Sequence, residues 1–261
     1  MRLNSPKINI ITKACIKASR ALIRDFGEIE NLQVSVKGPG DFVTASDKKV
    51  EKILIEELQK ARPNYSILSE EIGKISNDES YKWIIDPIDG TANFLHGIPH
   101  FAISIGLEQD GEIICGIIYD PIKDEMFVAE KGNGSYLNNQ RIRVSSRSKL
   151  KDCIIFTGGP KKEEKDRETS LKEYYNFSSK VQIPIRKLGS AALDMAYVAA
   201  GRCDGFWQKY LSYWDIAAGI ILVKESGGFV TDYYGENKYL ENKTLLVTNS
   251  KINKEMVEVL K

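Results

Sequence analysis

Apolar residues recur at helical spacing in two stretches of the amino-terminal half. Between residues 7 and 26 they fall at about every third or fourth position, and Gly27 ends the pattern. A second stripe runs through Val50 and Leu54, and Pro63 lies beyond its end. Both patterns predict amphipathic helices, because side chains three and four residues apart lie on the same face of a helix.

Shorter segments alternate apolar and polar residues or form compact apolar runs, as β-strands do. In the first half these segments are residues 34–36, 65–68, 101–107, 113–119, 126–129 and 134–137. Turns such as Asp110-Gly111 separate several of them and predict an antiparallel meander. From about residue 150, strands and helices alternate instead. We therefore predict an α/β protein of the α+β kind, with tightly packed halves at residues 1–150 and 151–261.

Residues 81–94 contain the strongest candidate for a functional site. An apolar run predicts a buried strand, and Asp-Pro and Asp-Gly turns end it at Asp86 and Asp89. Gly90 allows the backbone to approach a ligand closely, and Thr91 is a suitable N-cap for a following helical turn. The Thr91 hydroxyl and nearby free N–H groups would then face a bound anion.

Two carboxylates held close together require a cation or a shared proton. At about 4 Å they repel by roughly 4 kcal/mol at an effective dielectric near 20. The expected donors are oxygen atoms, with no cysteine or histidine in reach by sequence, and this donor set fits Mg²⁺ best. The residues alone also fit a plain turn, because Asp, Pro and Gly all favour turns.

Other acidic residues have both a structural and a functional interpretation. Glu70 and Glu71 follow a predicted strand, although a Glu pair in a loop is most often solvated. Asp47 completes a capping box with Thr44, which is worth about 1 kcal/mol. Asp215 would lie in the first turn of a helix, where the helix dipole stabilises its charge by about 0.3 to 1 kcal/mol.

Composition excludes several classes of function. The 261 residues include 37 basic and 36 acidic side chains, a formal net charge of +1, so the overall charge does not require a nucleic acid or an anionic membrane. His96 and His100 are the only histidines, and no G-x-S-x-G motif accompanies them. A Ser-His-Asp or Cys-His catalyst is therefore not indicated.

Cellular location is predicted from apolar runs and from cysteine usage. No apolar run approaches the length of a membrane span, and the amino terminus lacks the apolar core of a signal peptide. The four cysteines are Cys15, Cys115, Cys153 and Cys203; they form no C-x-x-C pair, which indicates buried, reduced thiols rather than a zinc site or disulfides. We expect a cytoplasmic protein that contacts neither membrane nor DNA.

Two motifs in the chain resemble the signatures of a known family. D-P-I-D-G-T at residues 86–91, with W-I-I before it and N-F after it, resembles the first signature of the inositol monophosphatase family. W-D-I-A-A-G at residues 214–219 resembles the second signature, and the likeness extends over nearly the whole chain. The resemblance implies a Mg²⁺-dependent phosphomonoesterase. It also implies a layered αβαβα sandwich of the inositol monophosphatase and fructose-1,6-bisphosphatase type.

The resemblance also implies roles for individual residues. Two or three Mg²⁺ ions would be held by Glu70, Asp86, the carbonyl of Ile88, Asp89 and Asp215. The implied catalytic residues are Glu70, Thr91 and Asp89, with Glu70 and Thr91 activating the attacking water. The phosphorylated substrate would contact Ile88, Asp89, Gly90, Thr91, Arg186, Gly189, Ser190, Gln208 and Asp215. Supporting roles fall to Lys37, Asp47 and Glu71.

The chain departs from the family at two positions, and a third position also has a structural interpretation. Ser69 stands where the family has Gly before its Glu pair, and Gln208 stands where it often has a Glu that contacts substrate hydroxyls. An amide can still hydrogen-bond a hydroxyl, but without charge assistance. Ser190 fits a helix N-cap as well as a pocket residue. The expected substrate is myo-inositol 1-phosphate.

Several related functions stay open at this point. Fructose-1,6-bisphosphatases, 3′-phosphoadenosine 5′-phosphate phosphatases and histidinol-phosphate phosphatases have a similar fold. Residues 158–160 are closer to the bacterial SuhB-like branch, which resembles an antitermination factor and adds contact with RNA polymerase as an alternative function. A homodimer and inhibition by lithium are implied by the resemblance alone.

Overall fold

The computed structural model describes residues 5–28, 34–38, 41–159, 167–181 and 183–260. For residues 34–38, 41–44, 78 and 79 only the backbone is described. The side chains of Lys37 and Thr44, for which we predicted supporting and capping roles, therefore lie outside the described part. The charged run at residues 161–173, which is typical of a solvated helix face, is described only from Arg167 onward.

The helices begin and end close to the capping and apolar signals. The first, α1, spans Pro6–Gly27 and starts after Ser5, whose hydroxyl accepts a hydrogen bond from the Ile8 N–H at 3.3 Å. The other described helices are α2 (Ala45–Ala61), α3 (Thr91–Leu95), α4 (Arg167–Val181), α5 (Ala191–Ala199), α6 (Tyr213–Glu225) and α7 (Asn253–Leu260).

A large sheet contains the predicted meander. Its eight described strands are β3 (Tyr65–Ser69), β4 (Gly73–Ile75), β5 (Asp78–Asp89), β6 (Ala102–Gln109), β7 (Glu112–Asp120), β8 (Glu125–Glu130), β9 (Gly134–Leu137) and β10 (Gln140–Ile142). They lie in the order β10-β9-β8-β7-β6-β5-β3-β4. All neighbours are antiparallel except β3 and β5, which are parallel. Two further strands, β1 (Val34–Gly38) and β2 (Asp41–Thr44), form a separate antiparallel pair.

A smaller sheet contains the strands of the second half. Its five described strands are β11 (Ile155–Thr157), β12 (Ile185–Arg186), β13 (Gly205–Lys209), β14 (Phe229–Thr231) and β15 (Thr244–Thr248), in the order β12-β11-β13-β15-β14. The apolar runs at residues 153–157 and 244–248 predict β11 and β15, whereas no sequence pattern predicted β12, β13 or β14.

Alternating side chains of the strands build the layers. One face of the large sheet, with Ile85 and Ile105, packs on the apolar stripes of α1 and α2. The opposite face, with Ile84, packs on α5 and α6, which also contact the small sheet. The outer face of the small sheet, with Trp207, packs on α4 and α7 through residues such as Phe177. The predicted αβαβα sandwich is therefore confirmed.

The two predicted halves share one core. The boundary at residue 150 falls at a turn of 3₁₀ helix, Leu150–Asp152, after the last strand of the large sheet. Helix α6 belongs to the second half but packs against β6 and β7 of the first. The division into residues 1–150 and 151–261 stays a prediction.

The thiols and the helices bear on the predicted location. Cys15, Cys115, Cys153 and Cys203 are all buried and unpaired, as expected. Burial raises the pKa of the Cys115 and Cys153 thiols to about 12, which lowers the fraction of thiolate at neutral pH. Among the helices that the structure describes, none combines the length and the apolar composition that a bilayer crossing requires.

Close contact between α6 and the large sheet depends on small residues. A Cβ atom added at Gly116 would lie 2.8 Å from the Cα of Ala218, and one added at Gly106 would lie 3.1 Å from the Cβ of Ala217. Because Asp215 lies in the first turn of the same helix, this contact also fixes the height of its carboxylate above the sheet.

We predict that Gly116→Ala lowers the free energy of unfolding by about 1 to 3 kcal/mol, because the added methyl group overpacks the contact with α6. Gly27→Ala is the matched control, since a Cβ there meets nothing within 4 Å. The control should change stability by less than about 1 kcal/mol. Urea unfolding of the three proteins makes the comparison, and equal stability of both variants would contradict the close packing.

Candidate metal centre and active site

Strand β5 ends in two buried carboxylates, as predicted. Asp86 pairs with Ser104 of β6 and Asp89 pairs with Ala102, so β5 has an extra residue between these two pairs. Such a bulge re-aims side chains that regular alternation would send to opposite faces. Asp86 is 1% exposed and Asp89 is 9% exposed. Asp86 is further fixed by the Ile88 N–H, which donates to its Oδ1 at 3.1 Å.

A third carboxylate arrives from α6. Asp215 lies in the first turn of this helix, and its Oδ2 accepts a hydrogen bond from the Ser212 N–H at 2.7 Å. One oxygen from each of Asp86, Asp89 and Asp215 lies within 4.8 Å of the others. The helix-start interpretation of Asp215 and its predicted place beside the other carboxylates therefore both hold.

The electrostatics of this cluster fit a hard cation. Burial, followed by the charges of Glu70, Asp89, Asp215 and Asp47, raises the pKa of Asp86 well above its usual value. Carboxylate oxygens with no sulfur or imidazole in the group are the donors that Mg²⁺ and similar ions prefer. A bound cation would remove the repulsion that the fold concentrates at Asp86.

Glu70 lies at the same end of the large sheet, because β3 is the parallel neighbour of β5 and ends just before Glu70. Ser69, the last residue of β3, pairs with Ile85, and the Glu70 N–H donates to the Ile85 carbonyl at 3.3 Å. After burial, the Glu70 charge is the largest influence on the pKa of Asp86, so the two carboxylates face a common region. Glu71 follows Glu70 and donates its N–H to Glu51 on α2 at 3.0 Å.

Asp47 lies in the first turn of α2 and is only 1% exposed. Its charge contributes to the raised pKa of Asp86, so Asp47 lies near that carboxylate. Its supporting role stays a prediction.

The turn after Asp89 differs in one respect from the prediction. Gly90, with φ of 97°, is the N-cap of α3, so Thr91 is the first helical residue rather than the cap. The Thr91 hydroxyl donates to the Ile88 carbonyl at 2.9 Å. A side chain at position 90 would be strained, because φ is positive and a Cβ there would lie 3.1 Å from the His100 carbonyl oxygen.

Helix α5 begins against the same carboxylates. Ser190 is its N-cap and accepts from the Leu193 N–H at 3.3 Å, which agrees with the capping interpretation. The Ser190 hydroxyl also donates to Asp89 Oδ2, and the Ala192 N–H donates to the same oxygen at 2.7 Å. The predicted pocket residue Ser190 and the predicted ligand Asp89 are therefore directly linked.

Sequence reasoning missed Asn93, which joins two segments of this site. Its Nδ2 donates to the carbonyls of His100 at 2.8 Å and Leu188 at 2.7 Å. A Cβ at Gly189, where φ is 91°, would lie 2.9 Å from that nitrogen. Asn93 lies directly after the D-P-I-D-G-T-A stretch, and this position was the available signal.

A second missed group fixes the start of α6. The Tyr213 hydroxyl donates to Glu108 Oε2 at 2.7 Å, and Lys82 bonds the other oxygen of Glu108 at 2.6 Å. Both Lys82 and Glu108 lie on paired strands of the large sheet. This ion pair anchors the helix two residues before Asp215, a relation that no sequence pattern indicates.

Two predicted substrate contacts, Arg186 and Gln208, lie in different surroundings. Arg186 is exposed on β12, and its Nη1 donates to the Ile185 carbonyl at 3.1 Å, so no contact among the described residues links it to the carboxylates. Gln208 lies on β13 and lines a solvent-open cleft together with Thr157 and Lys209, and none of the predicted ion ligands lines this cleft. A Cβ at position 158 would lie 2.0 Å from Gln208 Oε1, so Gly158 makes room for this amide.

Comparisons with known proteins agree with this arrangement. A model described as the inositol monophosphatase family matches residues 3–260. An inositol-1-monophosphatase of Mesorhizobium japonicum is 48% identical over 258 residues, which cover 98% of this chain and 97% of the relative. A Nus factor SuhB of Escherichia coli (strain K12) is 38% identical over 256 residues, covering 97% and 94%.

A solved structure extends the agreement to three dimensions. The crystal structure of extragenic suppressor protein suhB from Bartonella henselae has a TM-score of 0.94 to this chain and 50% identity. The match covers 98% of this chain and 99% of the solved one.

We predict that Mg²⁺ stabilises the wild-type chain and that Asp86→Asn removes this effect. At about 100 times its Kd the ion should add about 2.7 kcal/mol, which for a chain of this size raises Tm by roughly 5 to 10 °C. In the presence of a chelator, Asp86→Asn should melt above the wild type, because it relieves repulsion among buried carboxylates.

Differential scanning calorimetry with and without Mg²⁺ measures both effects. Asp110→Asn is the control, because Asp110 is exposed in the hairpin turn between β6 and β7. An equal Mg²⁺-dependent rise in Asp86→Asn would remove Asp86 from the ion site.

Proposed function

This chain belongs to the inositol monophosphatase family, and we propose that it is a Mg²⁺-dependent phosphomonoesterase whose main substrate is myo-inositol 1-phosphate. The observation that carries the proposal is the convergence of Asp86, Asp89 and Asp215 from two distant segments of the chain. The name of the Mesorhizobium japonicum relative supports the choice of substrate.

The proposed ligand set follows the positions of the acidic residues. Glu70, Asp86 and the Ile88 carbonyl would hold one ion, and Asp86, Asp89 and Asp215 would hold a second. Two or three bound Mg²⁺ ions supply the positive charge that phosphoryl transfer needs at the attacking and leaving oxygens.

The protein's own groups orient the reacting water and the phosphate. The Thr91 hydroxyl donates its hydrogen bond to the Ile88 carbonyl, so its oxygen can accept a hydrogen bond from the attacking water. The Glu70 carboxylate accepts a proton from the same water as the water oxygen attacks phosphorus. The P–O bond to the substrate alcohol breaks, and the departing oxygen takes a proton from solvent. The first N–H groups of α3, at Gly90 and Thr91, have no partner within their helix and bind phosphate oxygens.

The substrate hydroxyls would lie toward Ser190 and Gln208. The loop at Gly189 is held by Asn93, and Gly158 leaves room for the Gln208 amide, which both donates and accepts hydrogen bonds. An alcohol leaving group with several hydroxyls suits this polar lining. Arg186 enters the proposal from the family resemblance alone.

A second function is supported by the relative named Nus factor SuhB, which matches nearly the whole chain. In this alternative the protein also binds RNA polymerase through a surface away from the carboxylates. Exposed apolar side chains on the outer face of α1, Ile16 at 42% and Ile23 at 45%, are the observation that favours such a surface. Pull-down with purified RNA polymerase tests it.

The proposed setting is the cytoplasm, which agrees with four buried, unpaired thiols. The proposed assembly is a homodimer, from the resemblance alone.

We predict that Asp89→Asn lowers kcat for inositol 1-phosphate more than about 100-fold, since loss of a ligand should cost at least as much as loss of a ligand's hydrogen-bond partner. The fold should persist, because an amide oxygen can still accept from Ser190 and Ala192. Asp110→Asn is the control with unchanged turnover.

The substrate panel for these proteins is inositol 1-phosphate, fructose 1,6-bisphosphate, 3′-phosphoadenosine 5′-phosphate and histidinol phosphate, each with Mg²⁺. Near-normal turnover by Asp89→Asn would contradict the assignment of Asp89 as an ion ligand. Faster hydrolysis of another ester of the panel would mean that this ester, and not inositol 1-phosphate, is the preferred substrate.

We predict that Gln208→Glu lowers the KM for inositol 1-phosphate by roughly 3- to 10-fold, because a carboxylate forms a charge-assisted hydrogen bond with a hydroxyl. Gln208→Ala should raise the KM instead, with kcat little changed in both variants. Steady-state kinetics at saturating Mg²⁺ gives the comparison. An unchanged KM in both variants would place Gln208 outside the substrate site.

A further inference from the structure

Glu51 is a buried carboxylate that belongs to no part of the ligand set described above. It lies on α2 and is only 2% exposed. Its Oε1 accepts hydrogen bonds from the Ser69 hydroxyl, from the Glu71 N–H at 3.0 Å and from the Ile72 N–H at 3.3 Å. One carboxylate oxygen of a residue on α2 therefore accepts three hydrogen bonds from residues 69–72.

These donors surround Glu70 in the chain. Ser69 and Gly73 pair across the hairpin of β3 and β4, so residues 70–72 form its three-residue loop. Within that loop the Glu70 N–H is bound on the other side, to Ile85 of β5 at 3.3 Å. The loop backbone is thus fixed from α2 and from β5 at once, with the Glu70 side chain between the two attachments.

The burial of Glu51 makes this arrangement consequential. A buried acceptor and the N–H groups of a tight loop each require a partner, and here they satisfy one another. Loss of the acceptor would leave two backbone N–H groups without it, and the loop would be free to turn toward solvent. Glu70 would then have no fixed position relative to Asp86.

We propose that Glu51 and Ser69 are positioning residues that hold the 70–72 loop so that the Glu70 carboxylate is preorganised as an ion ligand, an inference that rests on the proposed function of the site. The Ser69 hydroxyl contact is specific to chains with serine here, because the resembled family has glycine at this position. Glu51 acts through Glu70 and touches neither ion nor substrate.

The test measures Mn²⁺ binding to the ion-free protein by calorimetry, without substrate. Glu51→Gln keeps the shape of the side chain but weakens all three hydrogen bonds, and it should bind Mn²⁺ about tenfold more weakly. Glu57→Gln is the matched control, because Glu57 lies on the same helix but pairs with Lys17 of α1 at 2.7 Å. The control should bind Mn²⁺ as the wild type does.

A double-mutant cycle separates positioning from general stability. If Glu51 acts through Glu70, Glu51→Gln should cause no further loss of Mn²⁺ affinity once Glu70→Gln is present. A merely structural role predicts the same loss in both backgrounds, and that result would overturn the proposal. Wild-type affinity in Glu51→Gln would also overturn it.

A second variant covers the case in which Glu51→Gln does not fold. Ser69→Gly introduces the family's residue and removes the hydroxyl contacts with Glu51 and with the Ile85 carbonyl at 3.4 Å. Because both loop N–H groups keep their bonds to Glu51, its Mn²⁺ affinity should fall by about threefold, less than that of Glu51→Gln. Unchanged affinity in Ser69→Gly would overturn the role of Ser69. Mn²⁺ binding by a wild-type protein that hydrolyses no phosphomonoester would refute the proposed catalytic function, whereas the Mn²⁺ affinities of the Glu51 and Ser69 variants test the positioning of Glu70 separately.

Discussion

One constraint organises the rest of the structure. Carboxylates that repel one another are held close together and away from water. Asp86 is fully enclosed at the end of β5, and burial together with the charge of Glu70 raises its pKa well above the usual value. A protein gains nothing in stability from such a cluster, since each buried charge needs a compensating partner. A bound cation or a shared proton would supply that compensation, and the all-oxygen donor set fits a cation such as Mg²⁺.

The layered architecture is the means by which distant carboxylates are held together despite that repulsion. Strands β3 and β5 are parallel and end side by side, which places Glu70 and Asp86 at the same end of the large sheet. Helix α6 adds Asp215 from the layer between the sheets, seated closely on β7 by Gly116. Hydrogen bonds from Ser190 and Ala192 hold Asp89. Rigid elements thus carry Asp86, Asp89 and Asp215, and a short loop carries Glu70.

Sequence patterns predicted the long amphipathic helices, the meander and the positions of Asp86 and Asp89, because local spacing and turn chemistry determine these features. They failed where a tertiary contact decides the outcome. Strand β13, Gly-Phe-Trp-Gln-Lys, shows neither an apolar run nor regular alternation. Thr91 lost the N-cap position to Gly90, which has a positive φ and lies close to the His100 carbonyl. Glu51 and Asn93 were missed because their partners lie far away in the chain or on backbone atoms.

Crystals soaked in Mn²⁺ and measured at the manganese absorption edge test the central claim most directly. The account predicts an anomalous peak at coordination distance, about 2 to 2.6 Å, from oxygens of Asp86, Asp89 and Asp215 together. Anomalous peaks only at other surface carboxylates, with these three side chains unliganded, would contradict it.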